Sequence, residues 1–118
     1  MIRAIAILSL VLAPAALAGQ QSSGSAPEDA DARCLGALSL MAASDDKASQ
    51  DIGKVGTVFF AGKLRGRNPA VDLETVLRRV YPALETSLPS ENKRCLAELQ
   101  AAGTAMVTAG NALQKKPN

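Results

Sequence analysis

The run DLETVLRRVYPALETSLPSENKRCLAELQAAGTAMVTAGNALQK, residues 72–115, decides how this chain folds. Its first part carries an apolar stripe at Leu73, Val76, Leu77, Val80, Leu84 and Leu88, the spacing of one helix face. Two starts are on offer. Asn68-Pro69 reads as an N-cap followed by proline at the first helical position, and Asp72 is the other candidate. Pro82 lies inside the stripe, where it removes a backbone donor and kinks or splits the helix. Pro89-Ser90 then reads as a fresh start, which predicts a separate helix running to about Lys115. There Cys95, Leu99, Ala102, Met106, Ala109 and Leu113 alternate by three and four, flanked by Leu96, Gly103, Val107 and Gly110. That is the pattern of a bundle seam. Lys115 and Lys116 suit the negative end of the helix dipole.

Working upstream, two more helices are expected. The first runs from about Pro27 to Ser44, entered through Ser25 or Ala26, with Glu28, Asp29 and Asp31 in the early turns. Cys34, Leu35, Leu38, Met41 and Ala42 recur at helical spacing. The second spans about Gln50 to Leu64, with Ile52, Val55, Phe59 and Lys63 on one side and Gly56, Phe60 and Leu64 adjacent. Gly53, Gly56 and Gly62 oppose helix, each by roughly 1 kcal/mol relative to Ala, and Val58-Phe59-Phe60 also suits a strand. Helix is preferred because no second strand is available to pair with it. The glycines then mark close helix–helix approach, as do Gly103 and Gly110 downstream. The sum is an all-α domain, a small four-helix bundle, over residues 27–116.

Residues 1–18 read as a secretory signal peptide. Arg3 precedes an apolar run from Ala4 to Leu12, and Ala16-Leu17-Ala18 ends it with small residues around the expected cut before Gly19. The run is shorter than the roughly 20 residues that cross a bilayer. Residues 19–26 are Gln/Ser/Gly-rich and read as a flexible leader. The expected product is exported, periplasmic or extracellular, and is not an integral membrane protein.

Export decides how the only two cysteines, Cys34 and Cys95, are read. In an oxidising compartment they form one disulfide. Such a link closes a loop of about sixty residues and contributes on the order of 4 kcal/mol by chain entropy.

The sequence contains no histidine. That removes the commonest general base near neutral pH, and with it Ser–His and Cys–His nucleophile pairs. Two cysteines alone do not complete a zinc site, so neither metal nor cofactor is expected. Asp45, Asp46 and Asp51 lack the order of a calcium loop and read as a solvated acidic link. Ser44-Asp45-Asp46-Lys47 and Ser90-Glu91-Asn92-Lys93 share the Ser-x-x-Lys spacing of penicillin-binding enzymes. Their partner motifs are missing, and both serines are expected to cap helices. No catalytic residue is assigned, and an enzyme is the least favoured class.

The net charge of +2 gives no general pull toward nucleic acid. Its distribution is uneven, with Glu28–Asp51 largely acidic and Lys54–Arg79 largely basic. Within the basic part, Lys63, Arg65 and Arg67 stand around Gly62 and Gly66 at a helix end. They read either as an anion- or partner-docking patch or as basic residues favoured in a last helical turn. An anionic envelope component or an acidic protein face would be the partner.

The Phe-Phe-x-Gly-x-x-x-Gly-Arg-Asn-Pro segment at Phe59–Pro69, with an early cysteine, Asp72-Leu73 and Arg94-Cys95, resembles a class of small exported two-cysteine helical proteins of bacteria. The resemblance covers most of the chain after residue 18. It implies export and a helical shape, and no activity. In architecture and in its cysteine pair the chain is also similar to acid-stress periplasmic chaperones of the HdeA type. The immunity proteins that neutralise cell-wall amidase toxins are likewise small, exported and cysteine-bearing. The leading expectation is a non-enzymatic interaction module. The alternatives are an acid-stress chaperone and a carrier of small apolar ligands.

Overall fold

The computed structural model describes residues 25–115. Residues 1–18, read above as a signal peptide, residues 19–24 of the expected leader and Lys116 lie outside the described residues. Three helices fill the described span: α1 (Ala26–Ala42), α2 (Lys47–Arg67) and α3 (Leu73–Gln114). The fold is all-α, and Phe59-Phe60 lies in helix.

Each start is set by a side chain that accepts orphan backbone N–H groups. Ser25 accepts from Glu28 and is followed by Pro27 in the first turn. Asp46 accepts from Ser49, and Asp72 from Glu74 and Thr75. Asp72 is thus the start of α3. Asn68 instead ends α2, its N–H bonded to the Leu64 carbonyl and its side chain accepting from Ala70.

The expected fourth helix is the second half of α3, so the bundle has three helices. Pro82 and Pro89 both lie inside α3. Each removes a single bond, and the rest of the ladder carries the helix through, but not straight. A Cβ on Gly36 would lie 2.8 Å from Val80 Cγ2, and the Cα atoms of Cys34 and Cys95 are 5.4 Å apart. Residues 80 and 95 are therefore within about 18 Å, whereas the same span of straight helix rises about 22 Å. The prolines bend α3 without splitting it. Ser87 adds to the bend by donating its hydroxyl to the Ala83 carbonyl at 2.8 Å, one turn back.

The central helix is α1. Asp31, Ala32, Cys34, Leu35, Gly36, Ala37 and Leu38 are all buried, because α1 packs on both neighbours while α2 and α3 touch little. Phe60 and Leu64 of α2 meet it on one side. Val76, Val80, Leu84 and Cys95 of α3 wrap it on the other. The α2 face that turns inward is Gly53, Gly56, Phe60 and Leu64. Ile52 and Val55, on the neighbouring side of the helix, are exposed. The glycine line turns inward because it allows near-contact of backbones: a Cβ on Gly53 would run into the backbone nitrogen of Ala42. Gly62, Gly103 and Gly110 face open space, so they mark no close approach within the single chain.

The disulfide Cys34–Cys95 is formed and fully buried. It joins the middle of α1 to α3 at the last buried apolar residue of that helix. Beyond Ala102, α3 continues as an exposed arm in which only Gly110 is partly shielded. The expected seam is half-shielded at Leu99 and Ala102 and open at Met106 and Leu113. No helix among the described residues is long and apolar enough to cross a membrane.

Candidate functional site

Two regions of the surface carry the residues of interest, and they adjoin at Glu98. The first is built around Asp31. This carboxylate lies on the buried side of α1 because its register, three and four residues before Cys34 and Leu35, is that of the core. Its side chain is 4% exposed. A buried charge needs partners, and α2 supplies them. Lys63 Nζ donates to Asp31 Oδ1 at 2.8 Å and also to Glu98 of α3. Arg67 Nη2 lies 3.0 Å from Asp31 Oδ2 as an ion pair without hydrogen-bond alignment. Lys63 therefore ties all three helices together. Its ammonium also sits 5.4 Å from the Phe60 ring centroid and 5.7 Å from that of Phe59, within cation–π range. The two rings pack edge to face at 4.9 Å.

Burial works against the Lys63 charge, but the hydrogen bonds to Asp31 and Glu98 outweigh it and hold its pKa above the ordinary value. A second charged seam fastens α1 to α3. Asp29 accepts from Arg79 at 2.8 Å and from Arg33 at 3.1 Å. Its pKa is lowered, chiefly by the Arg79 hydrogen bond, against a smaller opposing effect of burial. Arg94 donates to the Ala30 carbonyl and to Glu91.

Of the three basic residues singled out in the sequence, Lys63 and Arg67 converge on Asp31, and Arg65 stands exposed. Two of the three charges are thus engaged inside the molecule. Asp31 was the missed member. Its alignment with Cys34, Leu35 and Leu38 on one helical face was the available signal. The Ser-x-x-Lys pairs come apart functionally. Ser44 accepts from the Asp46 N–H, and Asp46, not Ser44, caps α2. Ser90 lies within α3 and donates to the Ser87 carbonyl, so it caps nothing. Asp51 pairs with Lys47 one turn away. Among the described residues there is no pocket and no cluster of groups suited to hold a metal ion.

The second region is the α3 arm. Between Glu98 and Lys115 the sequence LQAAGTAMVTAGNALQ, residues 99–114, contains no charged residue. Met106, Val107 and Leu113 are 72%, 64% and 72% exposed. Solvent-facing helices are normally rich in charge on their exposed side, and this one is not. Chemically the arm offers shape and apolar area, with no ionisable side chain between Leu99 and Gln114. No family model matches the sequence, and no curated protein or solved structure matches it.

Proposed function

We propose that this protein is a non-enzymatic interaction module of an oxidising, exported compartment, the bacterial periplasm being the setting its signal-like N-terminus suits. The observation that carries the reading is the uncharged arm of α3, held out from a core that the disulfide fastens just before it. The core supplies rigidity, and the arm supplies a surface whose apolar residues gain by leaving water. The basic corner contributes through Arg65, while Lys63 and Arg67 hold the corner in place.

Native mass spectrometry of protein purified from its own exported compartment tests this. The expected result is a mass greater than one chain, from a second copy or another molecule, that is lost when Met106 and Leu113 are replaced by Glu. A bare single chain under all gentle conditions, or an adduct indifferent to those substitutions, would overturn the reading.

A further inference from the structure

We infer that the arm pairs with the same arm of a second copy of this chain, antiparallel, across Ala102, Met106, Ala109 and Leu113. This rests on the reading of the arm as a docking surface and names its occupant. The arm is a heptad written twice: Leu99-Gln-Ala-Ala-Gly-Thr-Ala, then Met106-Val-Thr-Ala-Gly-Asn-Ala, then Leu113-Gln. A period of seven keeps one stripe facing a partner helix as the two supercoil. Large residues (Leu99, Met106, Leu113) occupy one seam position and alanines (Ala102, Ala109) the other.

That alternation selects both the partner and the direction. In an antiparallel pair Met106 and Leu113 each face an alanine: Ala102 against Leu113, Met106 against Ala109, and the same contacts again by symmetry. These four layers then have the same width, as close packing requires. A parallel pair would stack Leu on Leu and Met on Met, with Ala on Ala between them, leaving gaps at alternate layers. Gly103 and Gly110 flank the seam with open space beside them, so two backbones meet no obstruction.

Charge agrees. Residues 99–114 offer nothing to select an acidic or a basic partner, and nothing to repel an identical strip. The antiparallel arrangement carries Lys115 of each copy toward the Glu98 end of the other and opposes the helix dipoles. A parallel one would set Lys115 beside Lys115. The strip is about 24 Å long and so buries less than the ~1,200 Å² of a standard stable interface. Exchange between one copy and two should accordingly depend on concentration.

Sedimentation of the purified protein from about 1 µM to 1 mM reads this directly. We expect reversible dimerisation, weakened about tenfold or more by Met106→Glu, since burying an unpaired carboxylate is costly. Val107→Glu, one position off the seam, should leave it nearly unchanged. Circular dichroism should show all variants folded, since both residues are exposed in the single copy. Ala109→Leu reads the direction: it overfills an antiparallel layer and weakens the dimer, whereas it would fill a parallel gap and strengthen it. A single copy throughout, equal effects of the two glutamates, or strengthening by Ala109→Leu would each overturn the inference. If the protein stays single here but native mass spectrometry finds another molecule lost with Met106→Glu, the interaction module stands and self-pairing falls.

Discussion

Lys63 and Arg65 are two positions apart on one helix, yet their replacement should have very different effects. Removing Lys63 leaves Asp31 buried with only the misaligned Arg67 beside it. A buried acceptor stripped of its hydrogen bond costs about 1–3 kcal/mol. Lys63→Ala should therefore lower stability to urea by that order, while exposed Arg65→Ala stays within about 0.5 kcal/mol. Equal effects would mean that Asp31 finds its partner elsewhere. Replacing Asp31 and Lys63 together, with Asn and Met, should cost less than Lys63→Ala alone, because no unpaired charge is then left inside.

Along the elements, the glycines of α2 separate into two kinds. Gly53 lies where a Cβ would strike the backbone of Ala42 and Met41, which cannot swing aside. Gly53→Ala should push α1 and α2 apart and destabilise by about 1–3 kcal/mol. Gly62 has nothing within 4 Å of the same atom. Gly62→Ala should stabilise by about 0.5–1 kcal/mol through helix propensity alone. Urea denaturation of both variants measures the contrast, and a common sign would defeat it. Helix positions and starts were largely legible in the sequence, because capping at Ser25 and Asp72 and apolar spacing at Cys34–Leu38 and Val76–Leu84 are local. The end of the prolines' effect was not. Whether Pro82 and Pro89 split or bend a helix depends on what the flanking turns pack against, and here both halves are held on α1. The sequence left open which side of α2 turns inward, beyond reading its glycines as points of close approach, and Gly53 and Gly56 are such points. Ile52 and Val55 are more apolar than Gly53 and Gly56, but only the absence of side chains lets the two helices touch. The basic corner was read from Lys63, Arg65 and Arg67 without the carboxylate that organises it, since Asp31 lies some thirty positions away in sequence.

For the molecule as a whole, the disulfide and the charged seams set the conditions under which it holds together. Opening the Cys34–Cys95 link releases a loop with a sequence separation of 61. The chain-entropy loss is about 4 kcal/mol, comparable to the net stability of a small domain. The reduced protein should melt far below the oxidised one, and because both sulfurs are buried, reductant should act mainly after unfolding. Equal melting temperatures would contradict this. The Asp29 pKa is lowered in the folded protein. Its contribution is therefore complete above the ordinary 3.8 and disappears as pH falls through the depressed folded value. For Lys63 the sign is opposite: its raised pKa gives stability that is complete below 10.5 and is lost as pH climbs past that. Arg79→Gln should flatten the acid limb of a stability–pH curve, leaving the alkaline limb in place. An unchanged acid limb would remove Asp29 from this role.

The position of Cys95 also sets how the molecule answers a pull. Tension applied to the end of α3 travels down the arm and meets a covalent link to the middle of α1 before it reaches Val76, Val80 or Leu84. Oxidised, the helix tip serves as a handle that can be tugged without peeling the rest of α3 from its seat. Reduced, the same force would unzip the helix inward turn by turn. One bond thus divides a part of the chain that can be handled from a part that is sheltered.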